Sequence, residues 1–385
     1  MIRFMTAGES HGKTLTGILE GIPAGLKIDI DSVNNELKRR QGGYGRGGRM
    51  KIESDTAEIV SGVRFGETIG SPITILIKNR DNENWLKKMA AFGEPFGEKV
   101  TAARPGHADL NGVLKYDRKD ARDILERSSA RETAMRVAVG GICKNFLEVF
   151  GINIFSHVIS LGGVLIDRNN LAFDKSQTTD SELNVFDQNA EAKMKAKIDE
   201  AKNNGDTLGG VFEIIIKGAP VGLGSHISFE SRLDAKFAAA LMSIQAIKGV
   251  EIGEGFELAN LPGSLAHDEI FLDDDGKPFR KTNRAGGIEG GMTNGEDIIL
   301  RCAMKPIPTL MQPLNSIDIE TKSEIKASKE RSDVTAVPAA SVVGEAMSAY
   351  VMAGAILEMF GGAAMTDTLQ NYRAYVSRIN ARWSL

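Results

Sequence analysis

The sequence predicts an α+β protein: one domain made of two related halves, each carrying a strand–turn–helix unit. Two observations support this. The first is an internal echo, in which Thr16 to Leu26 reads TGILEGIPAGL and Gly210 to Leu223 reads GVFEIIIKGAPVGL, each an apolar run ending in Gly-x-Pro-x-Gly-Leu. The second is the alternation of short apolar runs with segments of helical spacing, with no linker-like stretch between the halves. Chance recurrence of Gly-x-Pro turns, in a chain with 42 glycines, is the competing explanation of the echo. A length of 385 residues allows two or three domains as well as one large one.

In chain order, the first echo is a strand, and Ser32 to Arg40 is a helix with Ser32 placed to cap it. Lys51 to Ser61 and Ser71 to Lys78 have strand patterning. Residues 79–101 form a charged insertion carrying Trp85. In RSSARET (127–133), Ser129 and Glu132 have the spacing of a capping box, which starts a helix reaching to near Phe150. Ile152 to Ser160 is a strand closed by a turn at Gly162-Gly163, and Asn189 to Lys202 is an amphipathic outer helix. After the second echo, Ser231 to Lys248 keeps helical spacing through Leu233, Phe237, Leu241 and Ile244. Residues 261–284 are a second polar insertion, with a hairpin-turn signal at Asp273 to Lys277. Both insertions have the length of mobile lids. The glycine run Ala285 to Gly291 bends the chain before a strand centred on Ile298 to Cys302, and Ala339 to Phe360 is a small-residue helix suited to burial.

Composition narrows the function. Hydrophobic content of 42% and charged content of 25% suit a globular protein, and the N-terminus has no apolar signal region, which points to the cytoplasm. Glu345 and Glu358 interrupt the longest apolar stretch, so it predicts a buried or subunit-interface helix and no membrane partner. Cys143 and Cys302 lack CxxC spacing and read as reduced core thiols; the five histidines show no metal-binding spacing, so no metal is expected.

Against a net charge of -4, the segment from Lys38 to Lys51 gathers Lys38, Arg39, Arg40, Arg46, Arg49 and Lys51 with five glycines and no acid. Such a pliable cationic segment suits a small polyanion, the alternative being a solvated loop. The helix start at RSSARET, with Arg127, Ser128, Ser129 and Arg131, offers N–H groups, hydroxyls and charge to a phosphate. His11 in GESHGK and His107 in RPGHADL lie in glycine-flanked loops, where a histidine acts as proton donor or simply completes the loop's hydrogen bonds. Asp333, beside Arg331, is either a turn residue or a carboxylate near a ligand. No Rossmann or Walker fingerprint is present. GYGRGGR is a single copy in an acidic, well-patterned chain, so it argues for no nucleic-acid partner.

Seven strings in order, GESHG (8–12), RRQGGYGRGGRMKIESD (39–55), RPGHAD (104–109), RSSARETAMRVAVG (127–140), LDAKFAAALMSIQAIKGVEIGEGF (233–256), NRAGGIEGGMTNGE (283–296) and RSDVTAVPAA (331–340), resemble chorismate synthases over nearly the whole chain. The KPIPTL segment departs from a more serine-rich family version. The resemblance implies a β-α-β sandwich with pseudo-twofold character, a cytoplasmic homotetramer, and conversion of 5-enolpyruvylshikimate 3-phosphate to chorismate with reduced FMN. It implies that Arg40, Arg46, Arg104 and Arg131 hold the substrate's anionic groups, with Arg49 a further candidate. His11 would serve the leaving phosphate, His107 the reduced flavin, and Asp333 the departing proton. FMN would meet Arg127, Ser128, Ser129, Gln245, Ala246, Gly290, Lys305, Pro306, Ile307, Pro308, Thr309 and Arg331. Some members reduce their own flavin with NADPH; the lack of a recognisable nicotinamide site predicts the monofunctional case here.

Overall fold

Alternating burial builds the first sheet of the computed structural model, which describes residues 1–46, 54–167, 181–329 and 332–383. Strand β1 (Arg3–Ala7) pairs with β2 (Thr14–Glu20), which turns Leu15 and Leu19 inward. Helix α1 (Ile30–Gln41) follows, then β3 (Glu58–Ser61), the hairpin β4 (Val63–Arg64) and β5 (Glu67–Thr68), and β6 (Ile73–Lys78). The antiparallel sheet runs β1-β2-β6-β3. Next come α2 (Asp109–Tyr116), α3 (Arg122–Ser128) and the buried α4 (Thr133–Glu148).

The second half repeats the pattern. Strands β7 (Asn153–Leu161) and β8 (Val164–Leu165) turn at Gly162-Gly163, and α5 (Gln188–Asn203) precedes β9 (Gly210–Lys217). Then come α6 (Leu233–Met242), β10 (Ile247–Ile252), and the single turns α7 (Gly255–Leu258) and α8 (Gly263–Ala266). Hairpins β11 (Ile270–Leu272) with β12 (Pro278–Arg280) and β13 (Ile288–Glu289) with β14 (Met292–Thr293) lead into β15 (Ile298–Met304). Hairpin β16 (Asn315–Ile317) and β17 (Glu324–Lys326) precedes α9 (Val337–Phe360) and α10 (Met365–Trp383). The second sheet runs β7-β9-β15-β10, extended by β8.

Each echo strand therefore occupies the same place in its own sheet, and the two Gly-x-Pro-x-Gly-Leu turns are tied alike. Thr68 Oγ1 donates to Pro23 O at 2.6 Å and accepts from Leu26 N at 2.9 Å; Thr293 Oγ1 does the same with Pro220 O and Leu223 N at 2.6 and 2.9 Å. Both threonines end a short hairpin, so the strand-to-helix turn is locked by a side chain well beyond it in sequence.

Helices α4 and α9 lie back to back between the sheets, giving the predicted β-α-β sandwich. They approach so closely that a Cβ on Gly140 would stand 2.3 Å from the Ala346 Cβ. Helix α9 is long and apolar enough to cross a membrane, yet 83% of its most apolar window is buried in the protein. Its Glu345 carboxylate, fully buried, accepts from Arg39, Lys144 and Ser156. Burial opposes ionisation there, but Arg39 and Lys144 outweigh it and hold the carboxyl well below the usual range. The cluster fixes the last turn of α1, which presents Arg40. Both cysteines are free and buried, and burial pushes the Cys143 thiol up to about 12.

Four local expectations are corrected. Asp29, not Ser32, caps α1, accepting from the N–H groups of Asp31 and Ser32. The helix predicted over 231–248 is only Leu233–Met242: Ala246 adopts φ +68°, and Ile247–Ile252 is drawn into the sheet beside β15. The capping box does not form. Ser129 accepts from Arg131 N over a 3-10 turn, while the Glu132 carboxylate is taken by Thr6 and Arg136, and α4 starts at Thr133. Of the strand expected over 51–61, residues 51–53 lie outside the described residues and only Glu58–Ser61 is strand.

Candidate active site

The end of α1 and the entry to α4 bring two arginines onto one carboxylate. Arg131 makes a bidentate pair with Asp55, both bonds 2.7 Å, and its Nε donates to Asn79 Oδ1 at 2.8 Å. Arg40 donates to Thr133 Oγ1 and Ala130 O, both at 3.0 Å, and its Nη1 stands 3.7 Å from Asp55. That Nη1 is buried and has no hydrogen-bond partner among the described residues. Burial pushes the Arg40 guanidinium down to about 9; Arg131 and Arg46 add to this, and Asp55 and Asp333 oppose it. Arg40 remains charged at neutral pH, but with too little negative charge around it.

The loop before β2 carries His11 against the same wall. His11 Nδ1 lies 2.9 Å from Glu126 Oε1, and its backbone N–H donates to Oε2 at 2.9 Å. Its ring stacks on Trp85 with centroids 3.9 Å apart, and Asn82 donates to its carbonyl. Arg122 reaches Glu126 at 3.1 Å and lies over the Trp85 ring. Asn79 joins this loop to Arg131, since its amide donates to Gly12 O at 2.7 Å.

RPGHAD folds on itself at the start of α2. Asp109, fully buried, accepts from Arg104 N, Nε and Nη2 at 3.1, 2.8 and 3.1 Å, and lies 2.5 Å from His107 Nδ1. A carboxylate only accepts, so Nδ1 carries the hydrogen and Nε2 is the nitrogen left for a ligand. Burial works to raise the Asp109 pKa, but the bonds from His107 and Arg104 prevail and hold it far below the usual carboxylate range. Arg104 also donates to Thr309 Oγ1 at 3.2 Å, and Lys305 Nζ donates to Gly106 O at 2.6 Å. Burial and Lys248 lower the Lys305 ammonium.

Arg46 pairs with Asp333 at 3.0 Å, and both lie near enough to Arg40 to shift it. Backbone bonds close the circuit. Val334 O accepts from Leu208, Thr207 Oγ1 donates to Ile307 O, Lys305 N donates to Ala246 O, and Gln245 reaches Glu132 at 3.3 Å. The structure gathers Arg40, Arg46, Arg131 and Asp333 round Asp55, holds Arg104 and His107 together on Asp109, and sets His11 on Glu126; relays of backbone and side-chain bonds connect the three clusters. Each acid or histidine is held by a different partner: His11 by Glu126, His107 by Asp109, Asp333 by Arg46.

The remaining candidates divide. Ser128 Oγ and Gln245 Oε1 are buried with no hydrogen-bond partner among the described residues, and Ser129 lies on Ser10 at 3.2 Å. Arg127 is exposed and donates to Thr6 and Gly8. Pro308 and Lys305 flank Gly106, whereas Pro306 is exposed. Gly290 sits at the exposed tip of the β13–β14 hairpin, whose backbone bonds run to Leu233 at the start of α6 and to the turn at Gly222 and Leu223. Arg49 and Arg331 lie outside the described residues. The sequence reading singled out neither Asp55 and Asp109, although both stand inside motifs it used, nor Glu126, which directly precedes one.

Fold and site define an enzyme of the β-α-β sandwich class, with carboxylate-held histidines and buried guanidinium groups. The chorismate synthase family model matches residues 2–357. The chain is 55% identical to chorismate synthase of Geobacter metallireducens, over 99% of this chain and 100% of that protein. It is 55% identical to that of Aquifex aeolicus, over 99% and 98%. A crystal structure of chorismate synthase is similar at 45% identity with a TM-score of 0.80, covering 99% of this chain and 98% of that one. The chain belongs to the chorismate synthase family and carries out that family's function in the shikimate pathway.

Proposed function

We propose that the site eliminates phosphate from 5-enolpyruvylshikimate 3-phosphate, with reduced FMN bound beside it, leaving chorismate. The observation that carries this is Arg40, a buried guanidinium with an unpartnered N–H, lowered to about 9 among other cations. An anion supplies what it lacks, and this substrate brings a phosphate and two carboxylates, about four negative charges. Arg40, Arg46, Arg104 and Arg131 are its clamp.

The residues also fit a flavin. Ser128 Oγ and Gln245 Oε1 are buried polar atoms wanting partners, and leaving either unsatisfied costs about 1–3 kcal/mol. Arg127, Ser128, Ser129, Gln245, Ala246 and Lys305 to Thr309 would hold it; Gly290 and Arg331 are kept as the resemblance implies them. The chemistry such a bound flavin would supply is a transient electron, lent and recovered, with no net redox change. The chain's residues do the rest: the arginines take up charge as the C–O bond to phosphate breaks, His11 gives the phosphate a proton from Nε2, and Asp333 takes up the ring proton. His107, whose Nδ1 is fixed by Asp109, would offer Nε2 to the flavin.

We read the protein as one catalytic domain of two related halves, working as a cytoplasmic homotetramer and taking reduced flavin from elsewhere, not from NADPH. Phosphate release from 5-enolpyruvylshikimate 3-phosphate, followed with oxidised and with reduced FMN, tests the reading. Release with reduced FMN alone is expected; equal release with both defeats it, and turnover on NADPH in air defeats the monofunctional reading.

A further inference from the structure

We infer that Glu126 is a positioning residue that fixes the tautomer of His11, so that only Nε2 can exchange a proton at the site. This rests on the catalytic reading of His11 given above. Three donors converge on the Glu126 carboxylate: His11 backbone N–H on Oε2 at 2.9 Å, His11 Nδ1 on Oε1 at 2.9 Å and more distantly on Oε2 at 3.1 Å, and Arg122 Nη1 on Oε1 at 3.1 Å. Glu126 is buried, and although burial opposes ionisation, the bonds from His11 hold its pKa below the usual range. An ionised carboxylate accepts at both oxygens and donates at neither, so Nδ1 must carry hydrogen.

The ring cannot turn away from this arrangement. Trp85 covers one face at 3.9 Å, and the His11 carbonyl is held by Asn82, whose own carbonyl accepts from Trp85 N. Ser10 N donates to Glu126 O, so the loop is tied to α3 at its backbone as well. When Nε2 passes its proton to the departing phosphate, the ring is left neutral with Nδ1–H still on Glu126. No other proton moves, and no bare carboxylate is stranded.

Glu126→Gln separates this role from packing, because the side chains have the same shape. An amide has one acceptor oxygen. The His11 backbone N–H, which can only donate, claims it at the Oε2 position; the amide NH2 then stands where Oε1 was, against Nδ1 and Arg122, and drives the hydrogen onto Nε2. A wrong tautomer is severe in other histidine-dependent enzymes. Full-length protein labelled with 15N-histidine, with the His11 signals assigned by His11→Ala, should show Nδ1–H in the parent and Nε2–H in Glu126→Gln. Turnover should fall at least about tenfold with substrate KM within about threefold, and Glu126→Asp, which keeps two acceptors, should recover part of it. Unchanged His11 nitrogen shifts in Glu126→Gln overturn the inference, as does a loss that appears in KM alone. If His11→Ala turns over normally, the catalytic reading of His11 fails, and the nitrogen shifts still decide the role of Glu126.

Discussion

The two histidines are held by the same device built in two ways. His107 and Asp109 are two residues apart, and the carboxylate also takes three bonds from Arg104 within the same motif. His11 and Glu126 are 115 residues apart, and their geometry depends on the docking of α3, the 79–101 segment and the loop before β2. In each the carboxylate serves an arginine as well, Arg104 in one and Arg122 in the other. A local pair is set by the backbone and is as stable as its own turn. A distant pair reports whether the surrounding pieces have come together, which makes His11 the histidine more sensitive to changes in the 79–101 segment.

The largest expected effect is on the local pair. Asp109→Ala leaves Arg104 buried without its main acceptor and should lower stability by about 3–5 kcal/mol, read from denaturant midpoints. Glu126→Ala should lose less, about 1–3 kcal/mol, because Arg122 lies nearer solvent than Arg104 and so is left less deeply buried without its acceptor. Equal losses would mean that sequence distance makes no difference to how firmly the pairs are held. Next in size, His107→Ala and His11→Ala should each reduce turnover by about 100-fold or more while flavin affinity changes little. If either keeps a near-normal rate, its pairing with a carboxylate is structural only.

What the sequence disclosed follows the same division. The apolar runs of β2 and β9, the Gly-x-Pro echo and the small-residue α9 are local patterns, and they yielded the paired sheets and the buried helix layer. His107 and His11 stood out alike by their glycine-flanked loops, whereas Asp109, only two residues from His107, did not, because nothing in a loop sequence says which way its carboxylate turns. Asp55, Asn79 and Glu126 meet Arg131 and His11 only through tertiary packing, so no spacing rule pointed to them. The capping box failed for a related reason: Thr6 and Arg136 compete for Glu132 and win. The helix over 231–248 ended early because pairing of β10 with β15 overrode its periodicity.

Arg46 and Asp333 make a third ion pair, this one without a histidine, and it sharpens the comparison. The two members differ in chemistry, since a guanidinium can only hold an anion whereas a carboxylate can also take up a proton, so Arg46→Ala should act on KM. A lost charge-assisted contact is worth about 1.5–3 kcal/mol, so KM should rise about 10- to 100-fold and turnover should recover at high substrate. Unchanged kinetics remove Arg46 from the clamp. Asp333→Asn should behave oppositely, lowering turnover more than flavin or substrate affinity; a shift in KM alone would make Asp333 no more than the partner of Arg46.

The smallest effect is absent at neutral pH and appears only in acid. Asp109 and Glu126 both have folded-state pKa values below their unfolded ones: burial opposes this in each, and the bonds from His107 and Arg104, or from His11, prevail. For a depressed acid the folded state binds fewer protons, so its contribution is complete above the unfolded value, near 4, and is lost as pH falls through the folded one. Each pH unit of depression corresponds to about 1.4 kcal/mol between the protonation states. Asp109 is held further down, so its contribution should persist to lower pH. Stability followed from pH 6 to pH 2 should fall less steeply in Asp109→Asn than in the parent, with Glu126→Gln between them. A parent-like slope in both variants would show that these pairs do not govern acid unfolding and that Glu132, Glu213 and Glu345, which are also buried and depressed, carry it instead.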